Sequence, residues 1–468
     1  MNRKTNILLM TLLFSPFFLT SCFVLKKYER TVEPAENLFR TDHIQDSLFR
    51  INADDTSLGA IAWREVFTDS TLQRHIEHAL SQNFDILIAI QSIDAAAAYL
   101  KQGKAAFGPA VNGSLNYSLT HNPGNIHSGN FSQYQLGVDL SWEADIWGKI
   151  RSRKNVAAAA YLQSIEAHHA VKTRLVANLA TLYYQLIALD EQVEIARLSI
   201  QTRKSSLQTT VALMEGGDLT AVAIQQTQAQ VYDAQNILLG LENQRRVLEN
   251  AFCLLLSEPS HAIRRGKMDE QSLQTPLTLG VPAHLLANRP DVRHAELDLI
   301  QALELTNVAK ASFYPSLVIN AAGGFRDTDM KKWLTPDGIF GQIAGGLLQP
   351  ILSRRQIKTT YEVAQTVEEQ ALLRYQQALL LAGNEVSDAL NDYQTYTDAI
   401  VLQKLQHEAL DTAVIYSQQL LMNGLANYLE VLTAQQNLLT TELNLTDTRF
   451  KRLAAVIRLY QALGGGWR

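Results

Sequence analysis

Two stretches of this chain alternate apolar and polar residues with a period of two. Val111, Gly113, Leu115, Tyr117 and Leu119 interleave with Asn112, Ser114, Asn116, Ser118 and Thr120. After a loop rich in turn formers at 121–129, Leu136, Val138, Leu140 and Trp142 interleave with Gly137, Asp139, Ser141 and Glu143. This alternation predicts strands with one apolar and one polar face. Weaker versions lie at 314–325 and 340–352, joined by a loop at 326–338. Each strand is about ten residues long, the length that crosses a bilayer at a tilt.

The remainder reads as helix. Residues 151–215 contain neither Gly nor Pro, a run of 65. As one helix it would be about 100 Å long. A return arm at 218–258 holds only Gly240 as a breaker; 351–423 holds only Gly383, and 425–463 holds none. The pattern predicts, twice, a very long helix, a tight Gly turn and a shorter return helix. Helices at 70–104 and 291–312 open the two halves. Runs of alanine at 95–98 and 157–160, and the pair Ala454 and Ala455, favour helix and let helix axes approach closely. Sustained heptad-like packing implies coiled-coil partners.

The halves are copies. Asn83, Phe84, Asp85 and Ile86 line up with Arg289, Pro290, Asp291 and Val292, about 206 residues on. KAAFGP at 104–109 aligns with KASFYP at 310–315, and LMEG at 213–216 with LMNG at 421–424. One long-period duplication is not a solenoid, whose units run about 20–50 residues. It describes a module fused to its copy and favours a pseudo-symmetric assembly.

The N-terminus supplies a compartment. Arg3 and Lys4 precede an apolar run at 7–19, which is too short to span a bilayer. It ends in Leu19, Thr20, Ser21 and Cys22, a spacing that resembles a bacterial lipobox. The alternative is an ordinary secretory signal with an incidental cysteine. Lipid chains contribute about 0.8 kcal/mol per buried CH₂, so several chains hold a protein firmly. The other cysteine, Cys253, sits in an apolar run, so no disulfide framework is expected. Removing Arg3 and Lys4 leaves 39 of 41 basic residues against 46 acids, a mature formal charge of −7. That argues against nucleic-acid binding. After Cys22 no run of 18 apolar residues occurs, so any membrane crossing must use strands. Four strands cannot close a barrel, and a lipid-exposed sheet edge is not tolerated. Several chains must share one; two would give eight strands, three would give twelve and room for a lumen. The soluble alternative is a sandwich edge packed on the helices.

Two motifs carry a family resemblance. LLANRPDVRHAE at 285–296 resembles the L-L-x-R-R-P-D-I-R-x-A-E signature of outer-membrane efflux lipoproteins, the NodT-type branch of the TolC-like family; Asn288 replaces the first Arg. MNGLANYLEVLTAQ at 422–435 resembles the family's helix-tip motif G-x-x-S-Y-L-E-V-L-x-A-Q, with Asn427 in place of Ser. GDLTAVAI at 217–224 is a degraded copy in which Ala223 stands where the acid is expected. The match covers about residues 55–465.

The resemblance implies a mainly α fold with a β-barrel portion: duplicated coiled-coil hairpins form a periplasmic α-barrel, and four strands per chain form a 12-stranded barrel in a homotrimer in outer-membrane lipid. It implies the exit duct of a tripartite efflux system in a Gram-negative outer membrane, lipid-anchored and extending into the periplasm. The partners would be a periplasmic adaptor and an inner-membrane transporter of the resistance-nodulation-division type. The expected organisation is a signal peptide at 1–21, a lipid-anchored segment at 22–68 and a first repeat at 69–265, with strands about 107–146 and helices about 149–258. A linker at 266–284 and a second repeat at 285–468 follow, with strands about 313–353 and helices about 354–463.

Candidate residues follow from that reading. Cys22 is the lipidation site. Asn112, Ser114, Asn116, Ser118, Asp139, Ser141 and Glu143 would line the lumen, with Leu136, Val138, Leu140 and Trp142 toward lipid. Gly216, Gly217 and Gly424 would cap the long helices and dock the adaptor. Glu430 and Thr433 would line the periplasmic aperture, where a ring of acids favours cations; the alternative is a solvated coiled-coil glutamate. Arg289, Pro290, Asp291, Arg293 and Glu296 form a structural motif, with Arg289 and Arg293 flanking Asp291 as ion-pair partners. Asp85 and Asp291 suit helix N-termini. No nucleophile, phosphate loop or metal constellation is evident; His75 with His78 and His168 with His169 read as solvated faces. The chain is therefore expected not to be an enzyme and to need no cofactor or metal. A lipid-anchored coiled-coil scaffold without a pore is the other reading, and it leaves the alternating strands unexplained. The 6 Met residues show no cluster for copper or silver, so the cargo is not readable.

Overall fold

The computed structural model describes residues 25–30, 32–35, 37–42, 44, 57–122, 129–271 and 288–468. Cys22 and the targeting segment lie outside the described residues, as do 123–128 and most of the linker. The elements are α1 (Ser70–Gln82), α2 (Phe84–Ala105), β1 (Ala110–Asn122), β2 (Gly129–Ala144), α3 (Lys149–Glu215) and α4 (Ala221–Leu256), then α5 (Pro290–Ala311), β3 (Ser316–Asp327), β4 (Ile339–Leu348), α6 (Gln356–Met422) and α7 (Tyr428–Ala462). The duplication is visible in this order. Both long helices have 67 residues, and the return helices have 36 and 35. No described helix is long and apolar enough to cross a membrane.

The opening helix of the first copy is not continuous over 70–104. It breaks at Asn83, whose backbone is extended at ψ 130°. The Asn83 carboxamide oxygen accepts from the amides of Asp85 at 2.9 Å and Ile86 at 3.3 Å, capping α2. Its nitrogen donates to the Leu255 carbonyl at 2.9 Å. A buried asparagine that serves as both cap and strut ends one helix and begins the next. Asp85, expected near this helix start, is an exposed first-turn residue and not the cap.

The described residues fall into two compact units. One collects those of 1–31, 92–165 and 294–376. It contains a four-stranded antiparallel sheet in the order β1-β2-β3-β4. The strands run 13, 16, 12 and 10 residues, so three exceed the expected ten. In this unit Arg30 and the Tyr28 hydroxyl both donate to Glu296 at 2.8 Å. That fastens the N-terminal segment to α5.

The other unit collects 32–91, 166–293 and 377–468. Its core is built on α3, where Leu179, Tyr183, Leu186 and Ile187 are buried, and includes Phe252, Phe67 and Tyr460. The last two rings meet edge-on at 5.9 Å. Gly383 sits inside α6 because the N-terminal segment crosses there: an added Cβ would run into Leu38.

Candidate functional site

In an antiparallel pair, residues directly opposite project to the same face. The β1/β2 register pairs Val111 with Leu140, Gly113 with Val138, Leu115 with Leu136 and Tyr117 with Tyr134. The same face continues through Phe325, Ala321 and Ile319 of β3 to Ile339, Ile343 and Gly345 of β4. One side of the sheet is therefore apolar across all four strands, although β3 and β4 alternate weakly in sequence. Among the described residues nothing covers it: Ile343 is 82% exposed, Leu115 70% and Leu347 65%. Soluble monomers rarely expose so continuous an apolar surface.

The opposite face gathers the polar candidates. Asn112 pairs with Asp139, Asn116 with Gln135, Ser118 with Gln133, Ser114 with Gly137 and Ala110 with Ser141; Ser141 and Glu143 then face Asn320 and Val318. The Ser114 hydroxyl donates to Asp139 at 3.1 Å, and Lys149 donates to Glu143 at 3.0 Å. All seven proposed lining residues thus share one face.

At the helix tips the two glycine turns are near-identical. The Gly217 amide bonds to the Met214 carbonyl at 3.0 Å and the Asp218 amide to Leu213 at 2.9 Å. Gly424 bonds to Leu421 at 3.0 Å and Leu425 to Leu420 at 2.9 Å. With φ of 88° at Gly217 and 69° at Gly424, each is a left-handed C-terminal cap of Schellman type, a conformation glycine takes without steric cost. Gly216 lies in the same turn, its amide on Ala212 at 3.0 Å.

Glu430 is exposed in the first turn of α7, its amide bonded to the Asn427 carbonyl at 2.9 Å. Asn427 caps the helix through its side chain, accepting from Leu429 at 3.1 Å. Thr433, one turn on, is exposed and donates to the Leu429 carbonyl at 2.8 Å. The two repeats differ here. Ala223, the sequence counterpart of Glu430, is fully buried. α4 buries Ala223, Thr227 and Val231, whereas α7 buries Val431, Leu432, Gln435 and Leu439. The buried stripe of α7 is set about one residue later, roughly 100° around a helix, and this turns Glu430 outward.

Sequence reasoning missed the polar struts behind the tips. Arg203 of α3 is 1% exposed. It donates to the Gln230 carbonyl at 2.8 Å, to its side chain at 2.6 Å and to Gln436 at 2.7 Å, tying α3 to α4 and α7. Burial pushes its pKa down, and Asp233 works in the other direction. Gln435 donates to Ser206 at 2.8 Å, and the Tyr428 hydroxyl donates to Gln226. A cavity of about 280 Å³ lies among Ser205, Ser206, Thr209, Thr227, Tyr428 and Leu432.

The 289–296 motif splits its bonds. Arg289 is buried and makes two bonds to Asp291, one to the Ala462 carbonyl at 2.9 Å and an ion pair with Glu385 at 2.6 Å. Burial opposes its charge, but the two carboxylates outweigh that and raise its pKa. Burial likewise works to raise the Asp291 pKa; the bonds from Arg289 prevail and hold it below the usual range. Arg293 does not pair with Asp291: it reaches Glu166 of α3 at 3.0 Å. Pro290 opens α5, where a missing amide costs nothing, and Glu296 takes Arg30 and Tyr28. The histidines are engaged separately: His75 lies 3.0 Å from the Arg264 carbonyl, His78 is 2.9 Å from Glu258, and His169 stacks on Trp467 at 4.3 Å. Among the described residues no cluster of three His, Cys, Asp or Glu could hold a metal. Cys253 is buried, its sulfur accepting from the His261 amide at 3.4 Å.

A two-faced antiparallel sheet, together with paired helical hairpins built on 67-residue helices, defines a class: channel proteins that combine a β portion with a helical barrel. A family model described as "Outer membrane efflux protein" matches residues 75–257 and 281–465. The chain belongs to that family and is an outer-membrane efflux channel. It is similar to the cation efflux system protein CusC of Escherichia coli O6:H1, with 26% identity over 453 residues covering 96% of this chain and 97% of that protein. It is equally similar to the solvent efflux pump outer membrane protein SrpC of Pseudomonas putida, 26% identical over 465 residues and 97% of each. The structure of the outer-membrane channel OprN superposes with a TM-score of 0.87 at 23% identity, over 95% of this chain and 99% of that one. By name, these relatives are components of efflux systems and an outer-membrane channel.

Proposed function

We propose that three copies of this chain close one 12-stranded barrel, polar face inward, and form the passive exit duct of a tripartite efflux system. The observation that carries this is the sheet. The strands keep one face apolar throughout and gather the polar side chains of β1 and β2 on the other, and among the described residues β1 and β4 each have a partner on one side only. A bilayer tolerates no open sheet edge, so β1 of one copy must meet β4 of the next. Leu115, Val138, Leu140 and Ile343 then face lipid, and Asn112, Ser114, Asn116, Ser118, Asp139, Ser141 and Glu143 face the lumen. Cleavage of a signal at 1–21 leaves Cys22 to carry the lipid. The caps at Gly216, Gly217 and Gly424 present the hairpin tips to a periplasmic adaptor, which links the duct to an inner-membrane transporter of the resistance-nodulation-division type. Glu430 and Thr433 line the resting aperture. CusC and SrpC carry names that specify different cargo at the same 26% identity, so this reading leaves the cargo open.

Reconstitution in planar bilayers tests it. The purified protein is expected to give unitary conductance steps and to crosslink as trimers through cysteine pairs placed on β1 and β4. A trimer without conductance, or a monomer that binds vesicles through lipid alone, would favour the scaffold.

A further inference from the structure

The four strands contain a single Lys or Arg, Arg326, near the end of β3. It pairs with Gln135, which places it on the polar face with Asn116 and Asp139. Its guanidinium carbon lies 4.3 Å from the centroid of the Phe340 ring, within cation–π range. Phe340 is itself an exception, a large aromatic on the polar face. The backbone beneath explains how it fits. Phe340 pairs with Gly324, and Gly324 pairs with Gly137. An added Cβ at Gly137 would sit 3.6 Å from the tip of the Phe340 ring, and one at Gly324 would run into the Leu136 carbonyl. Two facing glycines clear a shelf on which the ring lies, and the ring carries the arginine.

The charge of Arg326 has no neutralising carboxylate among the described residues. Among the described residues no carboxylate stands within ion-pair distance of it. Of the acids on this face, Glu143 is engaged by Lys149. Asp139 opposes Ala322, four residues along β3 from Arg326, about 13 Å at the strand rise. Asp327 follows Arg326 directly and so projects to the other face. The turn 123–128 contains no acid. The 328–338 turn holds two acids: Asp329 accepts from the Lys331 amide, and Asp337, in the first turn of a short 3-10 helix at 336–338, forms no ion pair with Arg326 within 4 Å. Arg326 is exposed and precedes this turn, at the end of the sheet away from α5. An arginine on the apolar face could be read as reaching for lipid headgroups; the register puts this one on the opposite face from Leu115 and Ile343.

We propose that Arg326, carried on the Phe340 ring, forms a cationic ring on the outer half of the lumen. The ring recruits small inorganic and organic anions and sets the ion preference of that end of the duct. This rests on the polar face being the lumen wall. In three copies the ring holds three guanidinium groups, whose unneutralised charge lowers the entry barrier for anions and raises it for cations.

Reversal potentials across a KCl gradient in planar bilayers test the assignment. Arg326→Gln is expected to lower the chloride-to-potassium permeability ratio by about twofold, and Arg326→Glu by more. Arg326→Lys should stay near wild type, because it keeps the charge. Phe340→Leu should fall between wild type and Arg326→Gln, since the arginine loses its platform. Open Arg326→Glu channels with wild-type selectivity would overturn the proposal. A wild-type protein that forms no channel at all would instead sink the pore reading beneath it. Should Arg326→Glu fail to assemble, the wild type still decides: pyrophosphate added on the turn side must reduce its current, and indifference to it would overturn the ring.

Discussion

The long helices α3 and α6 have equal length and arise from one duplicated module, yet their surfaces differ. Over 166–215 of α3, Leu198 is the only large hydrophobic left exposed among the described residues. Over 377–422 of α6, Leu380, Val401, Ile415 and Met422 are exposed at multiples of seven residues, and Leu381, Leu402 and Tyr416 form a second such column. Over this span α3 is engaged by the stretch around residue 265, by the cap of α1 and by the return helix α7. Arg265, just before the linker, bridges Asp190 and Glu249, the latter at 2.7 Å. The Tyr183 hydroxyl donates at 2.7 Å to Asp69, the cap of α1. Arg449 pairs with Glu191 at 3.0 Å. The second helix has no such cover along these columns. Heptad-spaced apolar columns bury themselves against another helix. Duplication copied a length; divergence buried one copy over this span and left the other with exposed apolar columns, the surface that the trimer proposed above would use as its seam.

Substitutions along the two helices should separate these roles. Leu179→Ala on α3 removes a fully buried side chain and should cost about 2–5 kcal/mol, read as a loss of helical ellipticity at lower temperature. Leu402→Ala, at a residue 68% exposed, should change monomer stability by less than about 0.5 kcal/mol while shifting detergent-solubilised protein from trimer to monomer. Equal monomer losses at both sites would erase the distinction. The sheet allows the same test on a surface both repeats share. Leu140→Lys in the first repeat and Ile343→Lys in the second lie on one face, and each should cost about 2–4 kcal/mol of barrel stability near mid-bilayer. Ser141→Lys should be tolerated and alter ion selectivity. If Ser141→Lys were as damaging as Leu140→Lys, the face assignment would be wrong.

The start of each repeat offers a smaller, pH-dependent contrast. In the first, the neutral amide of Asn83 caps α2. In the second, Arg289 stands at the equivalent place and works through Asp291. The folded Asp291 pKa is lowered, so its contribution is complete above the unfolded value of about 3.9 and is lost as pH falls through the lower folded value. Hydrogen exchange at the amides of Val292 and Arg293 should quicken below about pH 3.9, while that of Ile86 should not. Arg289→Asn should remove the difference. Exchange that accelerates alike in both repeats would show that the ion pair does not hold the second.

Much of this was legible in the sequence, because it depends on local periodicity. Strand faces follow from alternation, long helices from the absence of Gly and Pro, and the tip turns from glycines where a left-handed residue is needed. What escaped depends on distant partners. Asn83 breaks a helix without being a recognised breaker, because its amide finds Leu255. Arg293 passes over its neighbour Asp291 for Glu166, 127 positions earlier. Arg203 reads as a solvated coiled-coil charge until Gln230 and Gln436 close around it. Phe340 reads as one more apolar residue in a weak strand, and only the register shows it on the polar face over two glycines. Ala223 reads as a lost acid, and only the packing shows that an acid there would be buried.

That last point gives the subtlest comparison, at the tips. Glu430 and Ala223 are equivalent in sequence, but the buried stripe of α7 lies one residue later than that of α4. The aperture proposed above would therefore hold three carboxylates, one from each copy, and the first repeat could not supply three more by substitution. Ala223→Glu should place an unpaired charge in a fully buried position, loosening the tip without adding to the ring. Glu430→Gln keeps size and hydrogen bonding at an exposed first-turn position, so trimer yield and melting should match wild type. What should change is cation behaviour: weaker block by divalent cations or polyamines added on the helix-tip side, and a reduced cation preference. Paired measurements on reconstituted trimers decide it. Block lost in Glu430→Gln but not strengthened in Ala223→Glu would sharpen the asymmetry. Wild-type block in Glu430→Gln would make Glu430 a solvated helix residue, and stronger block in Ala223→Glu would mean that both repeats face the aperture alike.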